Sequence, residues 1–269
     1  MARRSGRRAS AGARLVRYLG MVLAVVLTAF LSFFFVSGYV QEGASSTAAG
    51  TPPAQLALAE KEGTGVPAVG DVVPVWESLP VYAGKPYVVL EGNRPRFPQA
   101  LLSRKNAYFQ FTPLDALGRC GTAMGRLGPE LLPKGKRQPI GMVKPSGWQL
   151  SKYPFVDGKY LYNRCHLIAF QLCGENANRL NLITGTRYFN VIGMLPFENR
   201  VADYIRHTRR HVLYRVTPIY RGRDLVARGV VMEAWSVEDG GKGVRFHVFV
   251  YNVQPGVVID YADGTNRAA

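Results

Sequence analysis

Between Tyr18 and Gln41 the chain runs for 24 residues without a charge, most of them apolar (YLGMVLAVVLTAFLSFFFVSGYV, then Gln41). As a helix rising about 1.5 Å per residue, this stretch would reach roughly 36 Å, enough to cross a hydrocarbon core of about 30 Å. Six arginines precede it (Arg3, Arg4, Arg7, Arg8, Arg14, Arg17) with no acid among them, an asymmetry that keeps that end cytoplasmic. The bulk of the chain is therefore expected outside the cytoplasm. Two readings stay open. One is a retained transmembrane anchor. The other is a cleaved signal peptide, whose apolar region usually spans about 7–15 residues, with Val36-Ser37-Gly38 as a weak cleavage site.

The pattern divides the chain into a basic segment (1–17), the anchor or signal (18–41), a linker (42–74) and one domain (75–269). The linker is rich in Gly, Ala, Ser, Thr and Pro without sustained period, the composition of a flexible tether. Within the domain, Tyr87–Glu91 reads as a short strand. Thr112-Pro113 before LDALGRC predicts a helix start, with a cap residue followed by proline. Residues 128–147 read as loop. Val212–Tyr220, Leu225–Val237 and Val244–Val253 are β-rich runs separated by turn-like RGRD and EDGGKG, which predicts an antiparallel meander. A helix is expected between Met194 and Thr208, burying Phe197, Val201, Tyr204 and Ile205. The class is α+β.

Lys plus Arg number 34 against 18 Asp plus Glu, a formal charge of +16, and hydrophobic residues make up 47%. That apolar content excludes a mainly disordered chain, and the charge points to an anionic partner such as nucleic acid, membrane or acidic glycan. Cys120, Cys165 and Cys173 are too few for a disulfide scaffold. No Gly-x-Ser-x-Gly elbow or complete phosphate-binding loop occurs. Of the four histidines, His207, His211 and His247 read as surface or structural. His166 ends a β-like run, beside Asn163 and Arg164, with an Asn-rich stretch downstream (Asn176, Asn178, Asn181, Asn190). Glu198 heads the helical row Glu198, Ala202, Ile205 and lies near the third position of a helix led by Pro196. Leu195, at the cap position, has no hydroxyl for a capping box. A carboxylate on an inward row suits a metal shell. Arg200, Arg206, Arg209, Arg210, Arg215, Arg221 and Arg223, with Lys134, Lys136, Arg137 and Lys144, could together track a phosphate backbone.

At these residues the chain resembles the DNA/RNA non-specific endonucleases of the ββα-metal class, particularly exported DNA-entry nucleases. The family signature Asp-Arg-Gly-His is matched by NRCHLIAFQ, and NRLNLITGTRYFN supplies the downstream amide, Asn190, 24 positions after His166. Asn163 replaces the signature Asp, and Cys165 the Gly. The resemblance implies a ββα-metal core with a central antiparallel sheet. It implies hydrolysis of DNA, and of RNA as a further substrate, with Mg²⁺ or Mn²⁺ as cofactor. His166 would be the general base, Asn190 the direct metal ligand, and Arg164 a fork on phosphate. Glu198 would act through the metal's waters, with Asn163 and Asn181 shaping the site and Arg200, Arg206, Arg209 and Arg210 meeting nucleic acid. The alternative is a catalytically inactive, membrane-tethered nucleic-acid-binding protein.

Overall fold

The computed structural model describes residues 74–269. The segments expected at 1–17 and 18–41, and the linker apart from its last residue, lie outside the described residues. Among the described residues no helix is long and apolar enough to cross a membrane.

Six antiparallel strands form the central sheet: β1 (Tyr87–Val89), β2 (Tyr108–Phe111), β3 (Ala123–Leu127), β6 (Val212–Ile219), β7 (Gly229–Ser236) and β8 (Arg245–Tyr251), in the order β1-β8-β7-β6-β3-β2. The meander β6-β7-β8 is the one expected, though β7 starts at Gly229 rather than Leu225 and β1 ends at Val89. Every residue of β6 is buried, because both faces of the sheet are covered. On one face lies the long helix (Leu195–Thr208), whose Val201, Ala202 and Ile205 pack with Phe189, Met194, Tyr214, Phe246 and Val250. Phe197 and Tyr204, expected in that core, are only half-buried against it. Residues 76–102 cover the other face: Trp76, Leu79 and Tyr82 pack on Phe249 and Tyr251, and Phe97 and Leu101 on Leu213 and Met124.

That second face also buries charge. Arg215 and Glu233 are directly opposed across β6 and β7, 2.7 Å apart and each 4% exposed. Glu233 also accepts the Arg96 amide, so the pair fastens the covering segment onto the sheet. Arg215 is thus a corrected expectation, an internal tie rather than a surface cation.

Residues 112–119 form a turn, not the expected helix. Asp115 Oδ1 accepts from the amides of Leu117 and Arg119 (both 2.9 Å), taking donors that a helix would send to carbonyls, and Gly118 is left-handed at φ +73°.

A second, two-stranded sheet pairs β4 (Tyr162–His166) antiparallel with β5 (Leu182–Thr186). Backbone helicity then runs from 187 to 208, through a π turn (Phe189–Met194) into the long helix. The helix therefore begins well before Pro196, and Leu195 is no cap. Thr186 caps it instead, its hydroxyl accepting from the Phe189 amide at 3.0 Å. Proline has no N–H to send back one turn, and just ahead of Pro196 the Leu195 amide bonds to Asn190 O, an i→i+5 step. Gly193 permits close approach to β8, since a Cβ there would stand 2.5 Å from Val250. Strand, strand and helix so make one unit. One short pair completes the fold, β9 (Val257–Ile259) antiparallel to β10 (Asn266–Ala268).

Candidate active site

The strand–strand–helix unit opens into a cleft of about 1190 Å³ that His166, Asn190 and Glu198 all line, together with Asn163 and Arg164. Each arrives for a local reason. His166 closes β4 and is 6% exposed. Its Nε2 lies 2.8 Å from the Asn176 carbonyl. A carbonyl only accepts, so Nε2 carries the hydrogen and Nδ1 is left as the basic nitrogen. Burial lowers the imidazole pKa from 6.5, outweighing that hydrogen bond, and the Arg137 charge adds to the lowering. The ring is neutral and oriented, as a base must be.

The segment following His166 is clamped by Asn181. This fully buried amide accepts from the Ile168 N–H (2.8 Å) and donates to the Ile168 carbonyl (3.0 Å). It does not line the cleft; it holds the backbone that leaves His166. Cys165 is accommodated without a special backbone, since it sits in regular β pairing with Ile183. Room for its Sγ comes from Gly185, where a Cβ would stand 2.6 Å from that sulfur.

Asn190 lies in the π turn and Glu198 two turns on along the same helix. Neither side chain has a hydrogen-bond partner among the described residues. Glu198 is 7% exposed, and burial pushes its pKa up to about 8 despite the opposing charge of Arg137. A buried, unpaired carboxylate is unfavourable for folding. Two hard oxygen donors facing one cavity make a set that Mg²⁺ or Mn²⁺ accepts, so the residues present fit such a cation. Asn163 contributes a buried Nδ2 with no hydrogen-bond partner.

Two groups of expected contacts are arranged differently. Arg164 donates from Nε to the Val143 carbonyl and from Nη2 to Gly141 O (2.7 Å), and stacks over Trp148 at 4.0 Å. With two donors committed to loop carbonyls, it is a strut for residues 141–148 rather than an open fork. Arg200, Arg206, Arg209 and Arg210 do not line the cleft. Arg206 reaches its rim indirectly, donating to Gln171 (3.2 Å), which in turn donates to Asn199 (2.8 Å). The helix turns its 198, 201, 202, 205 face inward, so these arginines occupy the outer face or the stretch beyond its end.

The cations that do line the cleft are Arg137, Lys144, Arg164 and Arg187. Arg187 is tied to Asp157 by two hydrogen bonds (3.0 and 2.7 Å). Arg137 has no ion pair or hydrogen bond among the described residues and is the uncommitted guanidinium of the cleft. In the sequence it is visible only as one basic residue of a loop. Its placement depends on Asn176, which donates to Gln138 O (3.1 Å) while its own carbonyl holds His166.

The profile of the DNA/RNA non-specific endonuclease family matches residues 102–238, half of the chain, and the chain belongs to that family of phosphodiester-hydrolysing endonucleases. A deoxyribonuclease of Streptococcus dysgalactiae subsp. equisimilis is 36% identical over 110 residues, which is 39% of this chain. The match spans only about a third (32%) of that relative's length. Among solved structures, NucA from Streptococcus agalactiae with no metal bound is similar at a TM-score of 0.61 and 27% identity, over 72% of this chain and 92% of that one. The same nuclease with magnesium bound gives a TM-score of 0.55 at 26% identity, over 62% and 82%. The Sda1 nuclease with bound zinc gives 0.53 at 30% identity, over 60% and 82%.

Proposed function

We propose that the cleft is the catalytic centre of a divalent-metal-dependent endonuclease cutting DNA, and RNA as a further substrate, with little base preference. One observation carries the reading: His166, Asn190 and Glu198 line a single cavity, and the imidazole Nδ1, amide and carboxylate have no protein partners there. His166, neutral through burial and held by the Asn176 carbonyl, takes a proton at Nδ1 from the attacking water. Asn190 would hold Mg²⁺, or Mn²⁺ in its place, through its amide oxygen, while Glu198 would accept hydrogen bonds from the hydration shell. When bound, the cation stabilises charge on the scissile phosphate and the leaving oxygen. The magnesium in NucA and the zinc in the Sda1 nuclease support a divalent cation for this chain.

Arg137 offers its free guanidinium to a phosphate oxygen. Arg164 fixes the wall on which Trp148 sits. Arg200, Arg206, Arg209 and Arg210 form an outer track for the phosphate backbone beyond the cleft. Export follows from the basic segment and apolar run at the amino end, with the mature protein either anchored or released. The mass of the mature chain separates those two outcomes.

An inactive nucleic-acid-binding protein is the weaker reading. Binding a polyanion has no use for a buried carboxylate without a partner, whose presence lowers stability. The test is plasmid digestion by the full chain. Nicking is expected with Mg²⁺, none with a chelator, and recovery on adding Mn²⁺. Binding without cutting under every metal and pH would support the inactive protein instead.

A further inference from the structure

Part of the cleft lining is apolar and exposed. Leu150 is 74% exposed and Tyr160 48% exposed, and both line the cleft beside Trp148 and Ile140. Met142 (72% exposed) and Phe155 (57%) are further exposed apolar groups in the same stretch of chain. Isolated exposed apolar groups need no explanation, but several that line one charged cleft mark a binding surface.

This wall is built, not loose. Arg164 holds the carbonyls of Gly141 and Val143. Ser146 donates to Leu225 O (2.6 Å), while its own carbonyl accepts from the Thr184 hydroxyl (2.8 Å). Gln149 donates to Asp263 O (3.2 Å). Gly147 and Gly264 approach so closely that a Cβ on Gly264 would stand 2.0 Å from the Gly147 carbonyl oxygen. Tyr160 bridges to Lys152, whose ammonium lies 4.6 Å from the ring centroid. Side chains carried on a braced backbone lose less freedom on binding than those of a loose loop. From Tyr160 to His166 the chain covers about 20 Å at roughly 3.3 Å per residue, so the wall and the proposed base lie along one track.

The geometry points to Leu150 and Tyr160 as a stacking platform for the bases of an unpaired strand, which makes single-stranded or locally melted nucleic acid the favoured substrate. The inference rests on the nuclease reading of the same cleft. The cleft's cations take the phosphates, and the apolar groups beside them take π-faces, which every base offers. A paired duplex keeps its base faces stacked within the helix and presents only backbone and groove edges to such a wall.

The experiment measures binding by the full chain in chelator, so that cutting plays no part. Two fluorescent strands of equal length and charge are compared, oligo-dT and an abasic strand of the same phosphates. Wild type is expected to bind oligo-dT about tenfold more tightly, Leu150→Ser with Tyr160→Ala to lose that discrimination, and Tyr160→Trp to keep it. Equal affinity of wild type for the two strands overturns the platform, without any need for a variant. Discrimination that survives the double substitution overturns these two residues. Self-association of wild type that the double variant lacks, with no preference for oligo-dT, assigns the wall to a second copy of the chain and also overturns it. The nuclease reading is judged separately, by plasmid cutting in Mg²⁺.

Discussion

Glu198 concentrates the tension between stability and use. Its carboxyl titrates at about 8 in the folded protein against 4.5 ordinarily, because burial disfavours the charge. The folded state therefore binds the proton more tightly than the unfolded chain. The stability from this group is complete below about pH 4.5 and is lost as pH rises through about 8. Glu198→Gln should stabilise the chelator-treated protein at about pH 9 by on the order of a few kcal/mol, read as a higher melting temperature, and change little at about pH 4. The same substitution should slow cutting. A variant no more stable than wild type at alkaline pH would show that the carboxylate has a partner. For His166 the direction is opposite: burial depresses its pKa below 6.5. The acid limb of log kcat/KM should consequently fall below pH 6.5, and a limb above it would point to another base.

Elements bring these residues together, and their junctions are the sensitive points. Thr186 ends β5 and caps the helix that carries Asn190 and Glu198. Thr186→Ala should cost about 1 kcal/mol by melting. Asn181→Ala strips two hydrogen bonds from the buried Ile168 backbone and should cost about 2–3 kcal/mol, with kcat reduced through the displaced His166 segment. An unchanged melting temperature would mean that Ile168 finds other partners. His166 and Glu198 were legible from local pattern, one at the end of a β-like run and the other on an inward helical row, while Asn190 was legible only through the resemblance to the family signature. The helix start was not. Pro196 resembles a first-turn proline, and the π turn that accommodates it leaves no mark on apolar spacing. The expected helix at 112–119 failed because Asp115 offers its carboxylate to the local amides, an option that periodicity does not register.

Across the whole molecule, the charge of +16 is divided among different tasks. Arg215 is consumed by Glu233 inside the sheet and Arg187 by Asp157 at the rim, while Arg137 remains free in the cleft. Sequence order cannot make that division, because each partner is supplied by a distant segment; Glu233 faces Arg215 only once β6 and β7 pair. The β6-β7-β8 meander, by contrast, was readable from three β-rich runs and their turns, whereas β2 and β3, short strands without a marked alternation, were not. Arg137→Ala should lower kcat/KM at least about tenfold. Arg206→Ala with Arg210→Ala should leave kcat near wild type, weaken affinity and flatten its salt dependence by roughly one to two charges. If the helix pair costs more kcat than Arg137 does, the outer track and the inner contact are reversed.

Plasmid nicking by His166→Ala in saturating Mg²⁺, with and without added imidazole, tests most directly the proposal that the imidazole at the end of β4 is the base. The account predicts a fall in kcat of about 10²–10⁴-fold, unchanged DNA binding, and partial recovery when imidazole is supplied. Nicking within a few-fold of wild type, with no response to imidazole, would contradict it.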